Sequence, residues 1–533
     1  MASRRAFRRA DGAEYGRQHQ STTDSVGGWA GRPARVLLSA VTLGPRAGFL
    51  SGIGLLDTYT FYAVETASAA GTLGTAKKTG SRLQYALSRD AIGERGIGKT
   101  TGRSAPAIAA TAVAGLEMLI IVVCATFFGA TAAVAAAGVL LRAARRAEIR
   151  CRRRKMIGVL PFVADLRLVD HHCHGLVSAE LDRPAFEGML TEADTVSWLG
   201  TTLFDSLIGL AVRRWCPPVL DLEPHATADE YLARRADLTA NEVNGRFLRA
   251  TGTADFLVDG GFQPDKLTSS AELARLAQAR AHDIVRLEQV AEDVVWAGTS
   301  GIGFADAFSA ELEKRTVNAA GVKSIAAYRV GLDLSGERPS SADVALAAGS
   351  WLADVDAGAP IRLADEVLHR FLIWTGIDLG LPVQFHVGYG DSDVDLHRCN
   401  PLLLTDLLRA TRRTRVPILL LHNYPYHREA GYLAQVFEHV FVDVGLATHN
   451  AGHRATTLIA ETLEITPFGK FLFSTDAFGL AELYHVGTLL FRRGLSDFLQ
   501  KGLDADEFSV ADAEHISRLI GAENAKRVYG LDA

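Results

Sequence analysis

From about residue 166 onward, short apolar β-type runs return roughly eight times, and longer stretches with helical periodicity lie between most of them. The runs are Leu166–His174, Asp255–Gly260, Asp283–Glu288, Val322–Tyr328, Pro382–Val387, Pro417–His422, Val440–Gly445 and Lys470–Asp476. Amphipathic segments such as Ala271–Ala279 and Pro401–Arg413 separate them. Such alternation asks for parallel strands joined by crossover helices, and about eight repeats close the sheet into an α/β (β/α)8 barrel of the TIM type. The long connection from Gly175 to Thr253 is then a helical insertion after the first strand. It is expected to cover the barrel mouth, with Asp194, Trp198 and Trp215 available to line or close it.

The first run ends Asp170-His171-His172-Cys173-His174-Gly175. Side chains alternate along a strand, so His172 and His174 are expected to share a face with Asp170 and to form a two-pronged ligand for one metal ion. Imidazole nitrogen suits zinc and its neighbours, and a strand end leaves coordination positions free for other ligands and water. Cys173 points to the other face and is expected to pack beneath a helix. Because the loops after the strands of a barrel converge on one axis, chemistry gathers there. The fifth run ends Gln384-Phe385-His386-Val387-Gly388, the sixth Leu420-Leu421-His422-Asn423, the eighth Phe473-Ser474-Thr475-Asp476. Either late histidine alone reads as a hydrogen-bonded core residue. Together with His172 and His174 they form an ordered set, completed by Asp476.

Residues 1–155 are different in kind. They carry a net charge of roughly +14 against about −19 for the remainder of the 533-residue chain. The acidic part offers no basic stripe for nucleic acid. Residues 1–33 read as a disordered arm within a low-complexity region, 1–104. Region 105–155 holds an uncharged run, Met118–Leu141, long enough to span a bilayer, with a basic flank that would hold the following domain on the cytoplasmic side. The competing reading is that the functional protein begins near Met156, ahead of a barrel over 156–533. Gly93–Thr100 matches the pattern of a phosphate-cradling loop but lacks the buried strand that such a loop needs before it. Five scattered cysteines without a CxxC pair point to a reducing, cytoplasmic setting.

The segments VKSIAAYRVGL (Val322–Leu332), LPVQFHVGYGDSDVDL (Leu381–Leu396), PILLLHNYPYHREAGYLA (Pro417–Ala434) and VFVDVGLA (Val440–Ala447) resemble the amidohydrolase superfamily. They resemble especially its amidohydrolase-related branch, as in the domain of nodulin/glutamine synthetase-like and FluG-type proteins, over about residues 160–530. The resemblance implies a metal-dependent hydrolase that activates water with a divalent metal, Zn2+ in the first instance, on a small amide or γ-glutamyl-type C–N bond. It implies His172, His174, His386 and Asp476 as ligands, His422 as catalytic or second-metal histidine, and Asp476 as proton carrier. Arg329, Tyr389 and Arg428 are candidates for a substrate carboxylate. Lys323 is read near the start of its strand, below the catalytic end, which favours one metal over a lysine-bridged pair. Glu288, Asp391 and Asp393 are further acidic candidates near the strand ends. A metal-dependent decarboxylase and a non-catalytic regulatory barrel remain the alternatives, and homo-oligomerisation is left open.

Overall fold

The computed structural model describes residues 158–531, apart from 196 and 264. The expected disordered arm, the apolar run Met118–Leu141 and the phosphate-loop pattern at Gly93–Thr100 all lie outside the described residues. Seven parallel strands follow one another in sequence order: β1 (Leu168–Cys173), β2 (Thr253–Asp259), β3 (Arg280–Arg286), β4 (Gly321–Ser324), β5 (Val383–Val387), β6 (Ile418–His422) and β7 (Val440–Val442). The eighth run is extended but forms no regular ladder. Its backbone nevertheless closes the ring, because Leu472 N donates to Val442 O of β7 at 2.9 Å and His171 N of β1 donates to Phe473 O at 3.1 Å. Asp476 N to His172 O and His174 N to Ala477 O continue the seam. The barrel expected from the sequence is therefore present, with one irregular stave.

Alternation along the strands sorts the core. Val169, Leu257, Ile284, Leu419, Leu421 and Leu472 meet inside the ring. Phe385, Ile418, Leu420 and Val442 face outward into a second cluster with helix residues such as Leu372 and Leu433. The closing helix Asn524–Tyr529 supplies Ala525, Val528 and Tyr529 to the inner cluster, plugging the end where the strands begin. Several outer helices start on reciprocal caps, for example Ser269 with Glu272 and Ser340 with Asp343, which satisfy donors that a helix start leaves unpaired.

Two readings of the insertion change. Its helices Leu207–Trp215 and Ala240–Thr251 supply Val212, Val243 and Phe247 to a third cluster with Cys173, Phe256, Val258 and Tyr484. They thus serve mainly as an outer layer of β1 and β2. Trp215 lies against the guanidiniums of Arg214 and Arg493, at 4.1 and 5.2 Å, and Trp198 is 90% exposed. A short strap crosses the mouth instead: Met189 lies against Gly479, and Asp194 accepts a hydrogen bond from Ser392 in the loop after β5. Glu192 sits between these two anchors. Among the described residues no helix is long and apolar enough to cross a membrane.

Candidate metal centre

β1 does not keep strict alternation. Asp170 pairs with Phe256 and Cys173 with Val258, so three steps of β1 face two of β2, a bulge. Its consequence is that consecutive histidines both find partners within the barrel. His171 reaches Asp443 Oδ2 and Tyr529 OH, at 2.8 and 3.0 Å. His172 Nε2 lies 3.1 Å from Asp476 Oδ1, and His174 Nε2 lies 3.3 Å from the same oxygen. Asp170, expected on their face, instead accepts from the backbone and hydroxyl of Thr475, at 2.9 and 2.5 Å, and so anchors the residue before Asp476. Cys173 packs outward, as expected, with its thiol toward Leu257 O.

His386 follows simple alternation on β5, inward like Gln384. His422 does not, since Leu421 before it already points inward. Left-handed backbone at His422 (φ 68°) and Asn423 (φ 60°) redirects the end of β6, and the Asn423 amide holds the bend through Leu420 O and Asp443 O, at 2.5 and 3.0 Å. His422 Nδ1 consequently lies 3.4 Å from Asp476 Oδ2, with its ring 4.6 Å from that of His386 and 5.5 Å from that of His172. Asp476 itself adopts φ 50°. Strained backbone thus gathers at one place.

The five residues expected from the sequence converge. His172, His422 and Asp476 have ligand atoms within 4.8 Å of one another, as do His172, His174 and Asp259; His386 joins through its ring contact with His422. Burial, seconded by Lys323, pushes the His172 imidazole down to about 4 and His386 down to about 3, and burial takes His422 well below the usual range. Their neutral form is the one that binds metal. Burial works against ionising Asp476, but His422, His172 and His174 together hold its carboxyl well below the usual value. His386 Nε2 and His422 Nε2 are buried without a hydrogen-bond partner among the described residues. Three packed imidazoles with unused nitrogens around a carboxylate fit a divalent cation.

Lys323 requires a correction. The apolar run read as one long strand is β4 to Ser324 and then a 3-10 turn, Ala326–Tyr328, so Lys323 stands at the catalytic end. Its buried Nζ lies 2.8 Å from His172 Nε2 and 3.4 Å from Asp259 Oδ2. Asp259, at the end of β2, was not singled out by the sequence; it accepts from Arg286 and its backbone carbonyl lies 3.0 Å from His174 Nδ1. Burial opposes its charge, yet Arg286, Lys323 and His174 keep it ionised.

The other candidates divide. Arg329 is held by Glu292 at 2.9 Å and by Leu363 O, and Arg428 lies on the surface between Glu464 and Glu461. Among the described residues neither bonds to the cluster. Tyr389 lines the mouth beside Tyr424, and burial, then Glu192, raises its phenol. Glu288 accepts from Ser324 Oγ and Ile325 N, fixing the turn after β4. Asp393 pairs with Arg362, and Asp391 caps the Asp393 backbone. Glu192 on the strap was missed; burial, then Asp476 and Asp391, pushes it up to about 8. The Tyr328 ring packs tilted against that of His386, centroids 4.4 Å apart, where only a glycine at 390 leaves room for its hydroxyl.

A family model described as amidohydrolase matches residues 267–531. Protein fluG of Emericella nidulans is 26% identical over 406 residues, covering 68% of this chain and 46% of fluG, so the chain spans about half the length of that curated relative. A protein of Lactobacillus casei ATCC 334, whose crystal structure is assigned as a metal-dependent hydrolase, is 29% identical with a TM-score of 0.59, over 70% of this chain and 98% of that one. An uronate isomerase of Bacillus halodurans C-125, 14% identical with a TM-score of 0.49 over 72% and 97%, is too distant to argue from. The chain resembles the amidohydrolase superfamily in its FluG-type branch, as its strand-end motifs implied.

Proposed function

We propose that this chain is a metal-dependent hydrolase of a small C–N bond, with His172, His174, His386 and Asp476 as ligands of a divalent ion, Zn2+ first. One observation carries the reading: the buried imidazoles of His172, His386 and His422, with unused nitrogens, gather around the Asp476 carboxylate at the strand ends. When bound, such an ion lowers the pKa of water toward ~7 and polarises a carbonyl. Asp476 is kept ionised, the form that accepts a proton from attacking water. Its low basicity then favours handing that proton to a leaving nitrogen. His422, in the tautomer with a proton on Nε2, donates toward the oxygen on which charge develops. The strap and Tyr328 narrow the mouth, which strengthens each of these interactions by limiting water.

Lys323 no longer argues for a single ion, because it stands among the ligands rather than beneath them. Elemental analysis of the purified protein, together with a panel of small amides, γ-glutamyl compounds and carboxylic acids, tests the proposal. About one or two equivalents of metal and amine release support it. Carbon dioxide release replaces it with a lyase, and protein without metal or turnover leaves the barrel as a scaffold.

A further inference from the structure

β3 delivers a further group to the mouth that the sequence reading passed over. Arg286 ends that strand on the same inward face as Ile284, and its register partner on β4 is Lys323. Its side chain is only 11% exposed. Nε and Nη2 both donate to one oxygen, Asp259 Oδ2, at 3.1 and 2.5 Å. The Phe262 ring lies 5.7 Å from the guanidinium and 5.2 Å from the His174 ring, so aromatic surface bridges the arginine and the histidine cluster. A Cβ at Gly261 would come within 2.6 Å of Arg286 Cβ, which shows how closely the turn after β2 is laid over it.

This arrangement is incomplete as an ion pair. Lys323 already leans on the same Asp259 oxygen, so two cations share one carboxylate. Nη1, with two N–H donors, has no hydrogen bond to any described residue. Nη1 is not among the fully buried unpaired atoms, so this edge of a guanidinium that stays charged is open to a partner from outside the protein. Arg329, whose Nε is buried without a partner, and Arg428 pair with glutamates away from the histidine cluster, whereas Arg286 stands beside it. We infer that Arg286 is the receptor for a carboxylate of the substrate, its free edge fixed in advance by Asp259 and Phe262. The substrate class is then an acid whose carboxylate lies a few bonds from the scissile amide, as in an amino-acid-like amide. This rests on the hydrolase reading above.

The test uses the full chain with its metal as purified, and calorimetric titration with glutarate and with pentanoate, the acid of the same length with a methyl group in place of one carboxylate. Either compound can place one carboxylate on the metal; only glutarate has a second for Arg286. Wild-type protein is expected to bind glutarate about 10- to 100-fold more tightly than pentanoate, the range of a charge-assisted hydrogen-bonded pair. Arg286→Gln should lose that ratio while its metal content, by elemental analysis, is unchanged. Should Arg286→Gln fail to fold, Arg286→Lys keeps a cation beside Asp259 without the second donor edge, and its ratio should fall about tenfold. An equal affinity of wild type for both compounds, or a preference that survives either folded variant, overturns the inference. Metal content and amine release judge the hydrolase reading separately from this ratio.

Discussion

The two ends of the barrel differ in how densely unpaired and strained polar groups gather, although Thr253 Oγ1, Gln384 Oε1 and His439 Nδ1 at the floor are also unpaired. At the floor, buried Asp255 accepts from Arg280 at 2.6 and 3.0 Å and lies 3.0 Å from His282. A little above it, the Tyr529 hydroxyl joins His171 to Gln384. At the mouth, four imidazole nitrogens of His172, His386 and His422 have no hydrogen-bond partner among the described residues, two cations share one carboxylate, and His422, Asn423 and Asp476 adopt left-handed backbone. Stability alone favours the first arrangement, since unpaired buried groups and strained residues each cost on the order of 1–3 kcal/mol. The contrast teaches that the mouth is shaped for something to arrive, while the floor holds the ring shut.

Mutations at the two ends should therefore separate cleanly. His386→Ala is expected to have the largest effect, lowering metal content and turnover by more than about 100-fold with little change in melting temperature; full metal and activity in that variant would break the comparison. Lys323→Met should lower metal affinity or turnover by about 10- to 100-fold in a folded protein, read by metal titration and steady-state kinetics. Unchanged values would return Lys323 to a merely structural role. At the floor, Asp255→Asn should cost about 2–3 kcal/mol in denaturant unfolding and leave metal content intact.

Smaller still is a pH effect at the same end. His439, beside Thr411, is pushed by burial down to about 4. The unfolded chain takes up a proton near pH 6.5 and the folded one only near 4, so stability falls as pH drops through that window. His439→Phe should flatten that part of the stability curve. The smallest change is Tyr529→Phe, expected to cost about 1 kcal/mol through the lost bonds to His171 and Gln384.

Much of this was legible because periodicity survives folding. The strand runs, the paired histidines of β1, and His386, His422 and Asp476 at later strand ends were all readable as a set. What escaped depended on backbone that polarity patterns do not record. Ile325-Ala326-Ala327-Tyr328 is as apolar as a strand but coils into a 3-10 turn, which displaced Lys323 in the reading. The bulge in β1 turned Asp170 from the cluster toward Thr475, and a left-handed bend brought His422 in against alternation. Asp259 and Arg286 lay within or beside runs read only as strand, where a charged residue at a strand end gives no sign of which charge across the ring it will meet. Arg329 and Arg428 were chosen for their chemistry, and nearby glutamates had already claimed them.

The closing helix has a bearing on how the chain is made. Tyr529 bonds to His171, 358 positions earlier, and residues 471–477 complete the seam with β1. Until residues 471–529 have emerged from the ribosome, the first stave has nothing to zip against on one side and the cylinder stands open. A stop codon just ahead of residue 524 would release a chain able to build nearly every stave yet lacking its stopper.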